Sequence, residues 1–158
     1  MRIRPARPDD AAAISRLIVP LAEKYILHEF DAQAGERFRA AVSAEAIAGY
    51  MSAEFRYHVA EEGGGLVGVV ATRGDGHLYH LFVAEAAQGR GLARRLWDVA
   101  REASRAAGHE GDFTVRSSRY AVGLYERFGF VRDGPDDEQD GIVSIPMRLR
   151  TATFERSE

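Results

Sequence analysis

Two glycines and three arginines lie close together in the sequence, where they could bind an anion. Gly89 and Gly91 precede a segment with helical periodicity, so their turn would lie at the N-terminus of a helix. There the first N–H groups have no intrahelical partner and carry partial positive charge, and glycines let a ligand approach them. The arginines that add full charges are Arg90, Arg94 and Arg95. These features predict a phosphate or pyrophosphate site, although a solvated arginine-rich helix after an ordinary turn would have the same composition.

Two common phosphate-binding motifs do not fit this turn. A P-loop requires a lysine after its last glycine, whereas Leu92 follows Gly91 here. A Rossmann fingerprint requires a third glycine or alanine at the position of Arg94, and its first glycine must lie close to the end of the strand. Here five residues separate Val83 from Gly89. The sequence therefore indicates an anion site of another type.

A buried strand and an amphipathic helix are predicted on either side of the turn. Residues 78–83 contain no breaker and are rich in apolar and aromatic side chains, which predicts a buried strand. After the turn, apolar residues recur at steps of three and four, which predicts a helix with one buried face. The apolar positions of that helix are Leu92, Leu96, Val99, Ala103 and Ala107.

The other predicted elements follow from periodicity and from breaker residues. Pro20 should interrupt the first helix, and the helical segment 31–51 should break near Gly35. Ser117 or Ser118 should cap the helix that follows strand 113–116. The acidic run 133–140 is predicted as a loop. The remaining strands are expected at 2–4, 57–60, 66–72, from 130 and at 142–149.

The turn also resembles the acetyl-CoA-binding signature of the GNAT superfamily of N-acetyltransferases, Q/R-x-x-G-x-G/A. Here the signature reads Gln88-x-x-Gly91-x-Ala93. The strand that ends with LFV at 81–83 resembles the fourth strand of the family, and residues 120–130, which end in YERFGF, resemble its later helix. Because the two segments occur in the family's order, the chain is identified as a member.

The resemblance covers nearly the whole chain and implies its fold. We expect a single α+β domain over residues 1–150, with a mixed, mostly antiparallel sheet and helices on both faces. The sheet should splay apart between its fourth and fifth strands. Residues 151–158 are expected to form a disordered C-terminal tail.

The resemblance also implies a site for acetyl-CoA in the splay. Backbone groups of Phe82 and Val83 should hold the pantetheine arm and the thioester. The pyrophosphate should contact the signature turn, which consists of Gln88, Gly89, Arg90, Gly91, Leu92, Ala93 and Arg94. Arg116 stands where the family often has a coenzyme-contacting asparagine. Arg116, or Arg119 nearby, could bind the coenzyme phosphates or pair with acids such as Asp133.

The chemistry implied by the resemblance is direct acyl transfer from the thioester to an amine. The sequence contains no cysteine, which argues against a cysteine-linked acyl-enzyme. Tyr125 matches the position of the tyrosine that commonly protonates the departing sulfur. For the base, His80, Glu85 and a chain of water molecules remain open. His77 and His80, three positions apart on a strand, are expected to face opposite sides, so no metal site is predicted.

Composition limits the class of protein and its partners. A net charge of −3 gives no overall field that would attract nucleic acid, and no segment is long and apolar enough to cross a membrane. A cytoplasmic protein, monomeric or homodimeric, is therefore expected. The acceptor should be a small-molecule or peptide amine, and a non-catalytic acyl-CoA-binding or sensing domain is the alternative. Aromatic and acidic groups expected near the acceptor are Tyr25, His28, Glu29, Asp31 and Tyr50.

Overall fold

The computed structural model describes residues 1–139 and 141–151, in which strands and helices follow the predicted order. The strands are β1 (Arg2–Pro5), β2 (Phe55–Glu62), β3 (Gly65–Arg73), β4 (His77–Val83), β5 (Phe113–Ser117), β6 (Val131–Arg132), β7 (Asp137–Gln139) and β8 (Ile142–Leu149). The helices are α1 (Ala11–Tyr25), α2 (Ala32–Ala41), α3 (Ala44–Met51), α4 (Leu92–Ala106) and α5 (Val122–Arg127). Short 3-10 helices lie at Pro8–Asp10, Leu27–Glu29 and Glu85–Ala87.

The described strands form one twisted sheet that opens in its middle. Their order is β1-β2-β3-β4-β5-β8-β6, and β7 pairs with β8. The β4–β5 pair is parallel, whereas the other pairs are antiparallel. Strands β4 and β5 pair only through His77 with Thr114 and Leu78 with Val115. Beyond these residues the two strands diverge, which confirms the predicted splay.

Two apolar cores cover the two faces of the sheet. On one face, side chains of α1 and α3 pack against β2 and β3 around Ile14, Ile18 and Ile47. On the other face, α4 and α5 pack against the sheet, with Leu96 and Trp97 fully buried. The buried side of α4 consists of Leu92, Leu96, Trp97, Ala100 and Ser104. Of the positions predicted for this side, Val99, Ala103 and Ala107 are not buried. The predicted α+β fold with helices on both faces is confirmed.

Pro20 does not interrupt the first helix, contrary to the prediction. Helix α1 continues without a break from Ala11 to Tyr25. Pro20 lies on the exposed side, where water can bind the carbonyl that loses its N–H partner. On the opposite side, buried Ile14, Ile18 and Leu21 anchor the helix to the sheet both before and after the proline. Burial of this face outweighs the local cost.

Two further predictions of irregular structure were wrong. Helix α2 passes through Gly35, because one glycine in a helix costs only about 1 kcal/mol. The break comes later, where Ser43 begins α3 by accepting the N–H of Ala46. The acidic run is not entirely a loop, since its residues 137–139 form β7 against β8. The predicted disordered tail falls largely on residues 152–158, which lie outside the described residues.

Candidate active site

The turn before α4 has the backbone geometry of an anion-binding site. Gly89 and Gly91 have φ angles of +80° and +78°, which favour glycine. No other heavy atom lies within 4 Å of the position that a Cβ would occupy at either residue, so the turn is open. The first intrahelical bond of α4 is donated by Arg95 to Gly91, at 3.1 Å. The N–H groups of residues 92–94 precede it and point out of the helix end.

Two of the three arginines predicted around this turn are less available than the sequence indicates. Arg90 pairs with Glu62 of β2, with Nη2 3.0 Å from Oε1. Arg94 donates to the carbonyl of Arg127, 3.1 Å away, and its guanidinium lies over the ring of Phe128. The backbone N–H groups are therefore the main open donors of the turn, and Arg94 lies beside them at the end of α5.

Arg116 contacts an acid other than the one suggested by the sequence. Its Nη1 lies 2.9 Å from Oδ2 of Asp137 and 3.1 Å from the hydroxyl of Ser144. Asp133 pairs instead with Arg148. These contacts link β5 to β7 and β8. Binding of a coenzyme phosphate by Arg116 stays a prediction, and both of these contacts engage Nη1 alone.

A cavity of about 1080 Å³ extends from the turn through the splay to the α1–α2 side of the sheet. Its first part is lined by the turn and the start of α4, and its middle by β4, β5 and α5. Its far part is lined by the end of α1, by α2 and by β8. A single cavity therefore extends from the turn before α4 to a second part on the α1–α2 side of the sheet.

The backbone of β4 offers hydrogen-bonding groups to this cavity at alternate residues. The N–H of Ala84 donates to the carbonyl of Val67, 2.9 Å away on the β3 side. Because the backbone alternates along a strand, Phe82 points the same way and pairs with Val69, whereas Leu81 and Val83 point toward the splay. The side chain of Gln88 already donates to the carbonyl of Val83, at 3.0 Å. The side chain of Phe82 and the backbone N–H of Val83 are therefore the groups that these two residues can offer to a ligand in the cavity.

A bulge in β4 decides where His80 points. His80 pairs with Ala71 while Leu78 pairs with Thr72, so Tyr79 is an extra residue. The bulge turns His80 toward the face that carries α1 and α3. Its ring then lies 4.3 Å from that of Tyr79, centroid to centroid. The expectation that His77 and His80 face opposite sides was wrong, because it assumed strict alternation. Among the described residues, no group of three or more His, Cys, Asp and Glu side chains could hold a metal.

His80 is a weak base in this environment. The side chain is buried, and its Nε2 has no hydrogen-bond partner within the described part of the chain. Burial disfavours the imidazolium and lowers the pKa of His80 to about 4, although a hydrogen bond to the backbone of Tyr79 acts in the opposite direction. His80 is therefore neutral at physiological pH, and it lines the cavity.

Tyr125 lies in the middle of the cavity wall. Ser118, one of the two predicted caps, accepts the N–H of Ala121 in the turn that leads into α5. The ring of Tyr125 packs edge-on against Phe128 and Phe130. Its hydroxyl makes no hydrogen bond within residues 1–139 and 141–151, and burial raises its pKa above the usual value. The phenol thus stays protonated and can donate into the cavity.

Glu85 is held by residues of α1 and is poorly suited to accept a proton. Its Oε2 accepts hydrogen bonds from the ammonium of Lys24 and the hydroxyl of Tyr25. The bond from Lys24 contributes most to lowering the pKa of Glu85. The ring of Tyr25 stacks in turn on that of Tyr120, which follows β5.

Of the groups expected near the acceptor, only Tyr25 lines the cavity. Asp31 caps α2, and the hydroxyl of Tyr50 donates to the carbonyl of Ala41. His28 and Glu29 approach each other at 3.8 Å on the surface. The far part of the cavity is instead lined by apolar side chains that the sequence analysis had not assigned. They include Phe30, Phe38 and Ile142. Those that lie in α2 gave only a weak signal, because their spacing is also that of an ordinary core-facing helix.

The fold and the site define a family. The sequence profile of the acetyltransferase (GNAT) domain matches residues 26–151, so the chain belongs to the GNAT family, as its resemblance to that family indicated. Acetyltransferase Atu2258 from Agrobacterium fabrum is 41% identical over 71 residues, which are 45% of this chain and 51% of that protein. The match thus spans about half the length of this curated relative.

Solved structures share the fold. A GCN5-related N-acetyltransferase from Rhodopseudomonas palustris superposes with a TM-score of 0.80 at 23% identity, over 94% of each chain. The PaiA N-acetyltransferase from Thermoplasma acidophilum, in complex with coenzyme A, gives 0.78 at 14% identity, over 94% of this chain and 98% of its own. YncA from Salmonella typhimurium, with acetyl-CoA, superposes with a TM-score of 0.70 at 21% identity, over 94% of this chain and 92% of its own. In the described part of this chain, no helix is long and apolar enough to cross a membrane.

Proposed function

We propose that the chain is an acetyl-CoA-dependent N-acetyltransferase that transfers the acetyl group directly to a primary amine of a small molecule or peptide. The observation that carries this proposal is the single cavity that extends from the open turn before α4 to a second part on the α1–α2 side of the sheet, with Tyr125 between them. Coenzyme A and acetyl-CoA in two structures of the same fold support it.

The residues of the turn fit the coenzyme. The N–H groups from Gly89 to Arg94 would bind the pyrophosphate, because they lie at a helix N-terminus that no side chain covers. The pantetheine arm would lie in the splay, where the N–H of Val83 faces the cavity and the side chain of Phe82 lines it. Gln88 fixes the end of β4 through the carbonyl of Val83.

The proposed transfer forms one bond and breaks another. The nitrogen of the neutral amine attacks the thioester carbonyl, the C–S bond breaks, and the amine loses one proton while the coenzyme leaves as its thiol. Tyr125 would give its proton to the departing sulfur, since its hydroxyl is protonated and open to the cavity. The chain contains no cysteine that could carry the acyl group.

For removal of the amine proton, the neutral Nε2 of His80 or a chain of water molecules is proposed. His80 lines the cavity and its Nε2 has no protein partner in the described part of the chain. With a pKa of about 4, His80 accepts a proton less readily than a free imidazole, which favours the chain of water molecules. Glu85 is less suitable, because Lys24 and Tyr25 already use its carboxylate.

The test is an acceptor screen that follows release of coenzyme A thiol from acetyl-CoA, together with thermal unfolding. An enzyme should show both a rise in Tm with acetyl-CoA and amine-dependent thiol release. A sensing domain would show the rise in Tm without release for any amine. No rise in Tm would contradict both functions.

A further inference from the structure

The far part of the cavity is apolar. Its side chains come from the end of α1, from α2, from β4 and from β8, and several are only half-buried although they face a concave surface. They include Ile26, Phe30, Phe38, Val42, Phe82 and Ile142. A ligand that covers such side chains gains free energy by removing apolar area from water.

The charged groups that line the cavity are cations. Among the described residues no aspartate or glutamate lines it, whereas Arg37, Arg94, Arg116 and Arg127 do. Acids close to the cavity already have partners, since Asp137 pairs with Arg116. An ammonium group that enters this cavity would leave water, and no carboxylate of the described lining would compensate its charge. Both effects favour the neutral amine.

The titratable groups of the cavity provide no strong base. The histidines are His77 and His80, and burial lowers the pKa of both. His77 also uses its Nδ1 on the hydroxyl of Thr114, at 2.8 Å. The other titratable side chains of the lining are the phenols Tyr25, Tyr79, Tyr120 and Tyr125. The chain is therefore poorly equipped to deprotonate an alkylammonium, and the amine should reach the thioester already neutral.

We propose that the acceptor is an α-amine attached to an apolar body, such as an amino-acid residue with a branched or aromatic side chain, an inference that rests on the proposed function. An α-ammonium has a pKa of about 7.7–8.0, against about 10.4 for the alkylammonium of lysine. At pH 7 the neutral fraction of the α-amine is larger by a factor on the order of 300. We expect polyamines and other multiply charged amines to be poorer acceptors, because the wall of the far part is apolar and the described lining offers their charges no carboxylate.

Three primary amines test the two parts of this inference with the full chain and acetyl-CoA. Leucinamide carries an α-amine and an apolar body, isopentylamine has a similar body with an alkylamine, and lysinamide has the α-amine with a cationic side chain. At pH 7 we expect kcat/KM for leucinamide to exceed that for isopentylamine on the order of a hundredfold, and this ratio should shrink toward pH 9. Equal values, or a preference for isopentylamine, would overturn the α-amine assignment.

Lysinamide and spermidine test the apolar body. We expect kcat/KM for leucinamide to be at least about tenfold higher than for either, because neither covers the apolar wall. Lysinamide or spermidine as the better substrate would overturn the assignment. Free leucine and an N-terminal leucyl peptide, assayed alongside leucinamide, distinguish an amino acid from a peptide as the source of the amine.

Binding measured without turnover separates this inference from the proposed function. Calorimetry with leucinamide and spermidine on the chain saturated with coenzyme A should rank leucinamide first even if no amine is acetylated. The variant Phe38→Glu adds a carboxylate to the apolar wall and should shift the leucinamide-to-lysinamide ratio toward lysinamide at least about tenfold. Phe38→Leu is the matched control that keeps the wall apolar. An unchanged ratio in a folded Phe38→Glu protein would contradict the assigned pocket, and the Tm of each variant reports its folding.

Discussion

Tyr25 at the end of α1 stacks on Tyr120 in the segment between β5 and α5, with ring centroids 4.5 Å apart and planes inclined by 19°. The hydroxyl of Tyr25 also donates to Glu85, which follows β4. The stack therefore links α1 to segments that follow both strands of the splay. Both rings line the cavity, and Tyr120 is 56% exposed, so the pair lies at its edge.

Loss of this stack should weaken binding of the acceptor. In Tyr120→Ala we expect the KM for the amine to rise about 2- to 10-fold, because an aromatic pair contributes about 0.5–1.5 kcal/mol beyond its buried area. The rise in Tm caused by acetyl-CoA should be unchanged, since the turn before α4 lies elsewhere in the cavity. Tyr120→Phe is the control and should retain the wild-type KM. A higher KM in both variants would assign the effect to the hydroxyl instead of the stack.

A matched pair of substitutions at Gly91 tests the anion-binding turn. Asn and Asp tolerate the left-handed backbone similarly, so Gly91→Asn and Gly91→Asp share the strain imposed by a φ of +78°. They differ in the negative charge, which in Gly91→Asp would lie beside the helix N-terminus where the pyrophosphate is expected. Acetyl-CoA should still raise the Tm of Gly91→Asn, whereas the shift should be lost in Gly91→Asp. The same shift in both would place the phosphates elsewhere.

Tyr125→Phe tests the proposed acid. The substitution keeps the ring that packs on Phe128 and Phe130 and removes only the hydroxyl. Because that hydroxyl makes no hydrogen bond in the described part of the chain, we expect the free energy of unfolding to change little. On a verified acceptor, kcat should fall on the order of 10²–10⁴-fold, while the Kd for acetyl-CoA stays the same. A kcat within a few-fold of wild type would show that the thiolate leaves without this proton.

Features encoded locally were predictable from the sequence, whereas those set by distant strands were not. The turn before α4 is fixed by two glycines and by the periodicity that follows them. The direction of His80 depends on a bulge in the pairing of β4 with β3, which no local pattern records. The partners of Arg90 and Arg116, Glu62 and Asp137, are likewise 28 and 21 residues away. Sequence spacing located the cations but could not show that they are neutralised.

The start of α1 illustrates the same limit and leads to a prediction about stability. Asp10 occupies the N-cap position of this helix, but no backbone N–H of α1 bonds to its side chain. Its carboxylate instead binds the guanidinium of Arg4, at 2.8 and 3.0 Å, and accepts the N–H of Arg7. Arg4 also contacts Glu61 of β2. This buried contact fastens α1 to the edge of the sheet.

The ion pair should make the protein sensitive to acid. The hydrogen bond from Arg4 is the main cause that lowers the pKa of Asp10 to about 2, against about 3.9 in an unfolded chain. Because the folded-state pKa is the lower one, the full contribution of about 3 kcal/mol is present above about pH 5 and is lost as the pH falls through 2. Asp10→Asn should therefore lower the free energy of unfolding at pH 7 by about 3 kcal/mol and flatten its dependence on pH between 4 and 2.

Chemical denaturation at several pH values measures both effects. Glu61→Gln is the control, because Glu61 is 31% exposed and its removal should cost much less than the loss in Asp10→Asn. An equal loss in both variants would contradict the assignment of acid sensitivity to the Arg4–Asp10 pair.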